Sequence, residues 1–124
     1  MINYLGIDWG EKRIGLATAD DELNLSLPFK TVFNLTEVLN VIKEEGIDVV
    51  VIGAPRKMNG EMANNPAWLR FVEQLKIQTD KKIELCDERL SSLAADALGG
   101  KDKETASRDE KAAAIILQSY LDKQ

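Results

Sequence analysis

The 124-residue chain contains no histidine, and that absence narrows its chemistry more than any residue present. Ser-His-Asp and Cys-His nucleophile systems both need an imidazole base, so both are excluded. The single cysteine, Cys86, can form no internal disulfide and has no thiol or imidazole partner for a zinc site. No run approaches the roughly 20 apolar residues that a membrane-spanning helix needs, and the N-terminus does not read as a signal peptide. Repeats, low-complexity tracts and proline-rich linkers are also missing, so one domain over residues 1–124 is expected. These absences together describe a soluble, cytoplasmic protein. Any catalysis in it must run on carboxylates, Lys, Tyr, Ser or metal ions.

What is there is globular in composition, 44% hydrophobic and 30% charged. The net charge of −5 argues mildly against nucleic acid, whose binders usually show a basic face. Carboxylates that hold metal ions, however, count as negative in that sum while serving an anionic substrate.

Along the chain, "NYLGIDW" and "RIGLATAD" read as strands joined by a turn at residues 10–12, a hairpin. "LSLPFKTVF" follows as a third strand, with Pro28 marking an edge or a bend. Thr36 is the expected cap of a helix over "EVLNVIKEE", whose Val38, Leu39 and Ile42 share a face and which stops at Gly46. "DVVVIGAP" is a continuous apolar run of the kind covered on both faces. Asn65 and Pro66 then open a helix carrying Trp68, Phe71, Val72 and Leu75. "KKIELCDE" reads as a fifth strand and "SSLAADALGG" as a short helix. The last helix is "SRDEKAAAIILQSYLD", with Ser107 and Glu110 at capping-box spacing. The order βββαβαβαα predicts an α/β fold, a mixed five-stranded sheet with helices on both faces.

Three carboxylates stand where structure alone does not ask for them. Asp8 lies in the apolar strand "YLGID" between Gly6 and Gly10, and an isolated buried carboxylate is costly unless something pairs with it. A turn aspartate bonded to its own backbone is the competing account. Glu88 ends a strand in "CDERLSS", where α/β sheets place their ligands. Asp87 and Glu88 fall on opposite faces by alternation, and the sequence leaves open which one points the same way as Asp8. Asp109 shares a helical face with Ala113, Ile116 and Tyr120. Its place in a first turn suits the helix dipole, but that does not account for its direction. Three acids without a histidine fit a Mg²⁺ or Mn²⁺ site, since hard cations take carboxylate oxygens. Two such ions about 4 Å apart can activate a water and stabilise the leaving oxygen of a phosphodiester.

The stretches "GIDWGEKRIGLATAD", "VVVIGAPRKMNGE", "CDERLSS" and "DEKAAAIILQSYLD" together resemble the YqgF (RuvX) family of Holliday-junction-resolvase-like proteins. The resemblance covers nearly the whole chain, in the family's order. It implies a ribonuclease-H-like fold and a metal-dependent nuclease whose Asp-Glu-Asp centre falls on Asp8, Glu88 and Asp109. It further implies processing of the precursor of small-subunit ribosomal RNA (pre-16S rRNA), with resolution of branched DNA as the alternative. Two departures stand out: a short connector before the last helix, and Arg108 where an aliphatic residue is expected.

Lys12, Arg13, Arg56, Lys57 and Arg89 recur in the motif loops, where phosphate contacts would be wanted. Ser91 and Ser92 fit a helix cap better than a phosphate site. Trp9 is a candidate for stacking on bases, whereas Trp68 fits a core. Two rival functions remain. A nucleotide site of the actin and sugar-kinase type would need a second such domain, and a non-catalytic RNA- or ribosome-associated module would not need three acids. Nucleic acid is the expected partner, for a monomer or homodimer.

Overall fold

The computed structural model describes residues 1–54, 66–87 and 108–123. Its elements are β1 (Asn3–Trp9), β2 (Ile14–Asp20), β3 (Leu27–Val32), α1 (Leu35–Glu44), β4 (Val49–Ala54), α2 (Pro66–Gln78), β5 (Lys82–Asp87) and α3 (Arg108–Asp122). The strands form one sheet in the order β3-β2-β1-β4-β5. The first three strands are antiparallel neighbours, and β4 and β5 join β1 in parallel. The expected mixed α/β sheet is therefore present. The short helix read from "SSLAADALGG" lies outside the described residues.

Strand alternation divides the sheet between two cores. On one face Leu5, Ile7, Leu16, Val50 and Ile52 pack under α1 and α2, against Val38, Val41, Trp68 and Leu75. On the other, Tyr4, Ala17, Val51 and Cys86 pack under α3, against Ala113, Ile116, Leu117 and Leu121. Coverage on both faces explains why β4 is apolar without interruption. The edge strand β3 is mostly exposed, and Pro28 there breaks no ladder between two partners.

The cap of α1 differs from the expectation. Asn34, not Thr36, is the N-cap, its side chain accepting from the Glu37 amide at 2.9 Å. The Glu37 carboxylate in turn accepts from the Phe33 amide at 2.7 Å. Asparagine and glutamate three apart satisfy two otherwise orphaned donors, so the helix begins at Leu35, one residue before the threonine. At the other end Gly46 has φ +61°, the left-handed conformation that glycine adopts without strain.

Candidate functional site

Asp8 stands on the C-terminal half of β1, and the sheet determines its direction. Tyr4, two pairs earlier on the same side of the strand, belongs to the core under α3. Asp8 therefore faces α3, while Trp9 faces the other way and packs on Phe71 with ring centroids 6.1 Å apart. That side of the sheet is not the side Asp8 occupies, so the ring expected to stack on bases is used in packing. Trp68 is a core residue, as the sequence suggests: it is 1% exposed and its indole N–H donates to the Gly53 carbonyl at 3.2 Å.

Gly15 brings Asp109 to this place. It pairs directly with Asp8 across the β1–β2 hairpin, and paired residues share a face. A Cβ at Gly15 would collide with the Asp109 carbonyl and stand 2.8 Å from the Asp109 Cβ. The start of α3 thus rests on the bare backbone of Gly15. Since paired Cβ positions lie about 5 Å apart, the Cβ atoms of Asp8 and Asp109 are within about 8 Å of one another. Side chains of that length can reach a common ion.

Farther along α3, the space at Gly6 is taken by Leu117 Cβ and the Ala113 carbonyl, at 2.8 and 2.9 Å from where a Cβ would be. The helix lies close to the sheet over its length because glycine and alanine are beneath it. A one-residue change on β1 or β2 would therefore be felt at the site.

Around Asp109 the β1–β2 turn supplies a cation. The Arg13 Nε lies 3.0 Å from Asp109 Oδ2, with the arginine side chain 65% exposed and the aspartate 28%. Such an exposed pair is worth at most about 1 kcal/mol, so its effect is on orientation more than on stability. Next to Asp109, the Glu110 carboxylate accepts a hydrogen bond from the Thr31 hydroxyl at 2.8 Å. Four residues before Asp8, burial and then the neighbouring Tyr120 push the Tyr4 phenol above its usual value. It is a neutral packing group at physiological pH, not a base.

The register shows what lies level with Asp8. Ile7 pairs with Ile52, and Ile52 with Leu85, so Gly53 on β4 and Cys86 on β5 are its lateral neighbours. Three parallel strands thus end side by side, the position where open α/β sheets take ligands. Lys12 is exposed in the adjoining turn. Glu88, Arg56, Lys57, Arg89, Ser91, Ser92 and Ser107 lie outside the described residues. Among the described residues no group of three metal-binding side chains is assembled, which leaves Asp8 and Asp109 as the juxtaposed pair. A groove of about 730 Å³ lies at the far end of the sheet, lined among others by Lys43, Ile47, Ile77 and Lys81, away from both acids.

Sequence reading did not single out Gly15, Thr31 or the Arg13–Asp109 pair. A glycine inside a strand does signal close backbone approach, and the short hairpin turn sets it opposite Asp8. Thr31 carries no comparable mark, since threonine is an ordinary strand residue.

Comparison with known proteins agrees with this architecture. The Thermus thermophilus RuvC protein in complex with a Holliday junction superposes with a TM-score of 0.64 at 17% identity, covering 98% of this chain and 94% of that one. The fowlpox virus resolvase in complex with Holliday junction DNA gives 0.61 at 14%, covering 98% of both chains. At those identities the likeness is one of fold, ribonuclease-H-like. Closer in sequence are two proteins named "Putative pre-16S rRNA nuclease". The one from Endomicrobium trichonymphae is 33% identical over 98% of this chain and 96% of its own length. The one from Chloroflexus aggregans is 37% identical over 95% and 92%. The family model described as RuvX, Holliday junction resolvase, matches residues 2–123. Matched over nearly its whole length and sharing more than 30% identity with such relatives, the chain belongs to the RuvX family.

Proposed function

We propose that the protein is a divalent-metal-dependent nuclease that hydrolyses phosphodiester bonds in the precursor of small-subunit ribosomal RNA, in the cytoplasm. The observation that carries this reading is the approach of Asp109 to Asp8 over Gly15. The relatives' shared name supports RNA as the substrate. Among the described residues no helix is long and apolar enough to cross a membrane.

The donor set fits Mg²⁺ or Mn²⁺: two aspartates come from different elements, the chain has no histidine, and the thiol of Cys86 is buried against the Ile116 carbonyl at 3.7 Å. Asp8 and Asp109 would hold the ions, with a third carboxylate from the end of β5. Cys86 faces α3, and strand alternation counted from it favours Glu88 over Asp87 for that place. Bound there, the ions would supply an activated water and neutralise charge on the phosphate. Asp8 is held by β1, in the middle of the sheet, and so fixes the centre's position. Arg13 turns Asp109 and, with Lys12, offers positive charge to an incoming phosphate. Arg56 and Arg89 are proposed to extend that grip.

The test is cleavage of pre-16S rRNA, with a four-way DNA junction in parallel, under Mg²⁺ and under EDTA. Asp8→Asn is expected to abolish cleavage, by loss of a group that would hold the metals, with the thermal transition unchanged or slightly raised. EDTA should abolish cleavage, and acid should weaken it because protons and metal compete for the same carboxylates. Undiminished cleavage in EDTA or by Asp8→Asn would refute the assignment. Preference for the junction would move the substrate to branched DNA.

A further inference from the structure

We propose that Thr31, on the outer strand of the sheet, is a positioning residue for Asp109, an inference that rests on the metal-centred reading above. Three residues lie in one row across the sheet: Asp8 pairs with Gly15, and Gly15 pairs with Thr31. All three share the face that carries α3. Each meets the start of that helix differently. Asp8 supplies a carboxylate beside it, Gly15 receives its backbone, and Thr31 donates to Glu110 Oε2 at 2.8 Å.

Helix ends fray, and Asp109 is the second residue of α3. Its aim therefore depends on what holds the first turn. Packing over Gly15 fixes the height of the first turn above the sheet, while the side chains of that turn are directed by their own partners. The Thr31–Glu110 bond joins that turn to β3 on one side, and Arg13–Asp109 acts on the carboxylate itself. A hydroxyl donating to a carboxylate is a charge-assisted bond, stronger than one between neutral groups. The strand does not need this hydroxyl, because valine has the same shape and at least equal preference for a strand. The hydroxyl acts on the neighbouring ligand through Glu110, one step farther out than the groups that bond metal ligands directly.

Calorimetric titration of the full chain with Mn²⁺ alone tests the proposal apart from cleavage. Thr31→Val should weaken Mn²⁺ binding about 10-fold, the lower range for outer partners of metal ligands. Thr31→Ser, which keeps the hydroxyl, should bind as the wild type does. Glu110→Ala should also bind weakly, and adding Thr31→Val to it should cost nothing more, because the pair acts as a unit. Thermal melts accompany each variant, and Thr31→Ala, which also removes the hydroxyl, decides the matter if Thr31→Val does not fold. Wild-type affinity in Thr31→Val, or equal additive losses in the double variant, would overturn the positioning role and leave the metal centre standing. Absence of Mn²⁺ binding by the wild type would overturn both.

Discussion

Gly15 shows how one missing side chain can govern the placement of acids on two other elements. Its space is filled by the backbone of Asp109, which cannot swing aside as a side-chain tip can. Gly15→Ala must lift the start of α3 or bend β2, and overpacking of that kind costs about 1–3 kcal/mol. We expect urea denaturation to register a loss in that range. Metal affinity and cleavage should fall further than stability, since a displacement near 1 Å can cost about 10²-fold in rate. A variant as stable and active as wild type would mean that α3 approaches β2 less closely than described. At this scale the candidate acids stood out in the sequence: Asp8 and Asp109 announce themselves by charge in apolar surroundings, and the structure brings the two near each other. The groups that bring them together did not, because glycine and threonine are informative only when their neighbours across the sheet are known.

Elements were easier to read than their ends. The five strands and the described helices follow from period two, period 3.6 and turn residues, and the apolar run of β4 already indicated cover on both sides. Strand order did not follow in the same way, since pairing of β4 with β1 joins residues far apart in the chain. The start of α1 was misplaced by two residues because Asn34 and Thr36 are both acceptable caps, and only the Glu37 contacts to Phe33 and Asn34 select the first. Asn34→Ala should therefore destabilise the protein by about 1 kcal/mol, while Thr36→Ala should be nearly silent. Paired denaturation curves check this, and the reverse order of effects would restore the cap to Thr36. Arg108, anticipated as out of place, begins α3 exposed to solvent, where a long charged side chain disturbs no core.

On the scale of the whole molecule, the two described acids come from opposite ends of the chain, Asp8 from the first strand and Asp109 from the last helix. The sheet can be laid down progressively, but α3 must return to cover β1 and β2. A ribosome releases the N-terminal part first, so the first acid waits for the second throughout synthesis. On the function proposed above, a growing chain would carry half a cutting site while still attached to a particle made of RNA. Chains stalled on the ribosome, with a short or a long linker after residue 124, would expose this timing. Cleavage of added RNA should appear only with the long linker, once α3 has cleared the exit tunnel; cleavage with the short one would contradict it. The protein's topology would then act as a safeguard, withholding the blade from the machine that forges it until the two have parted.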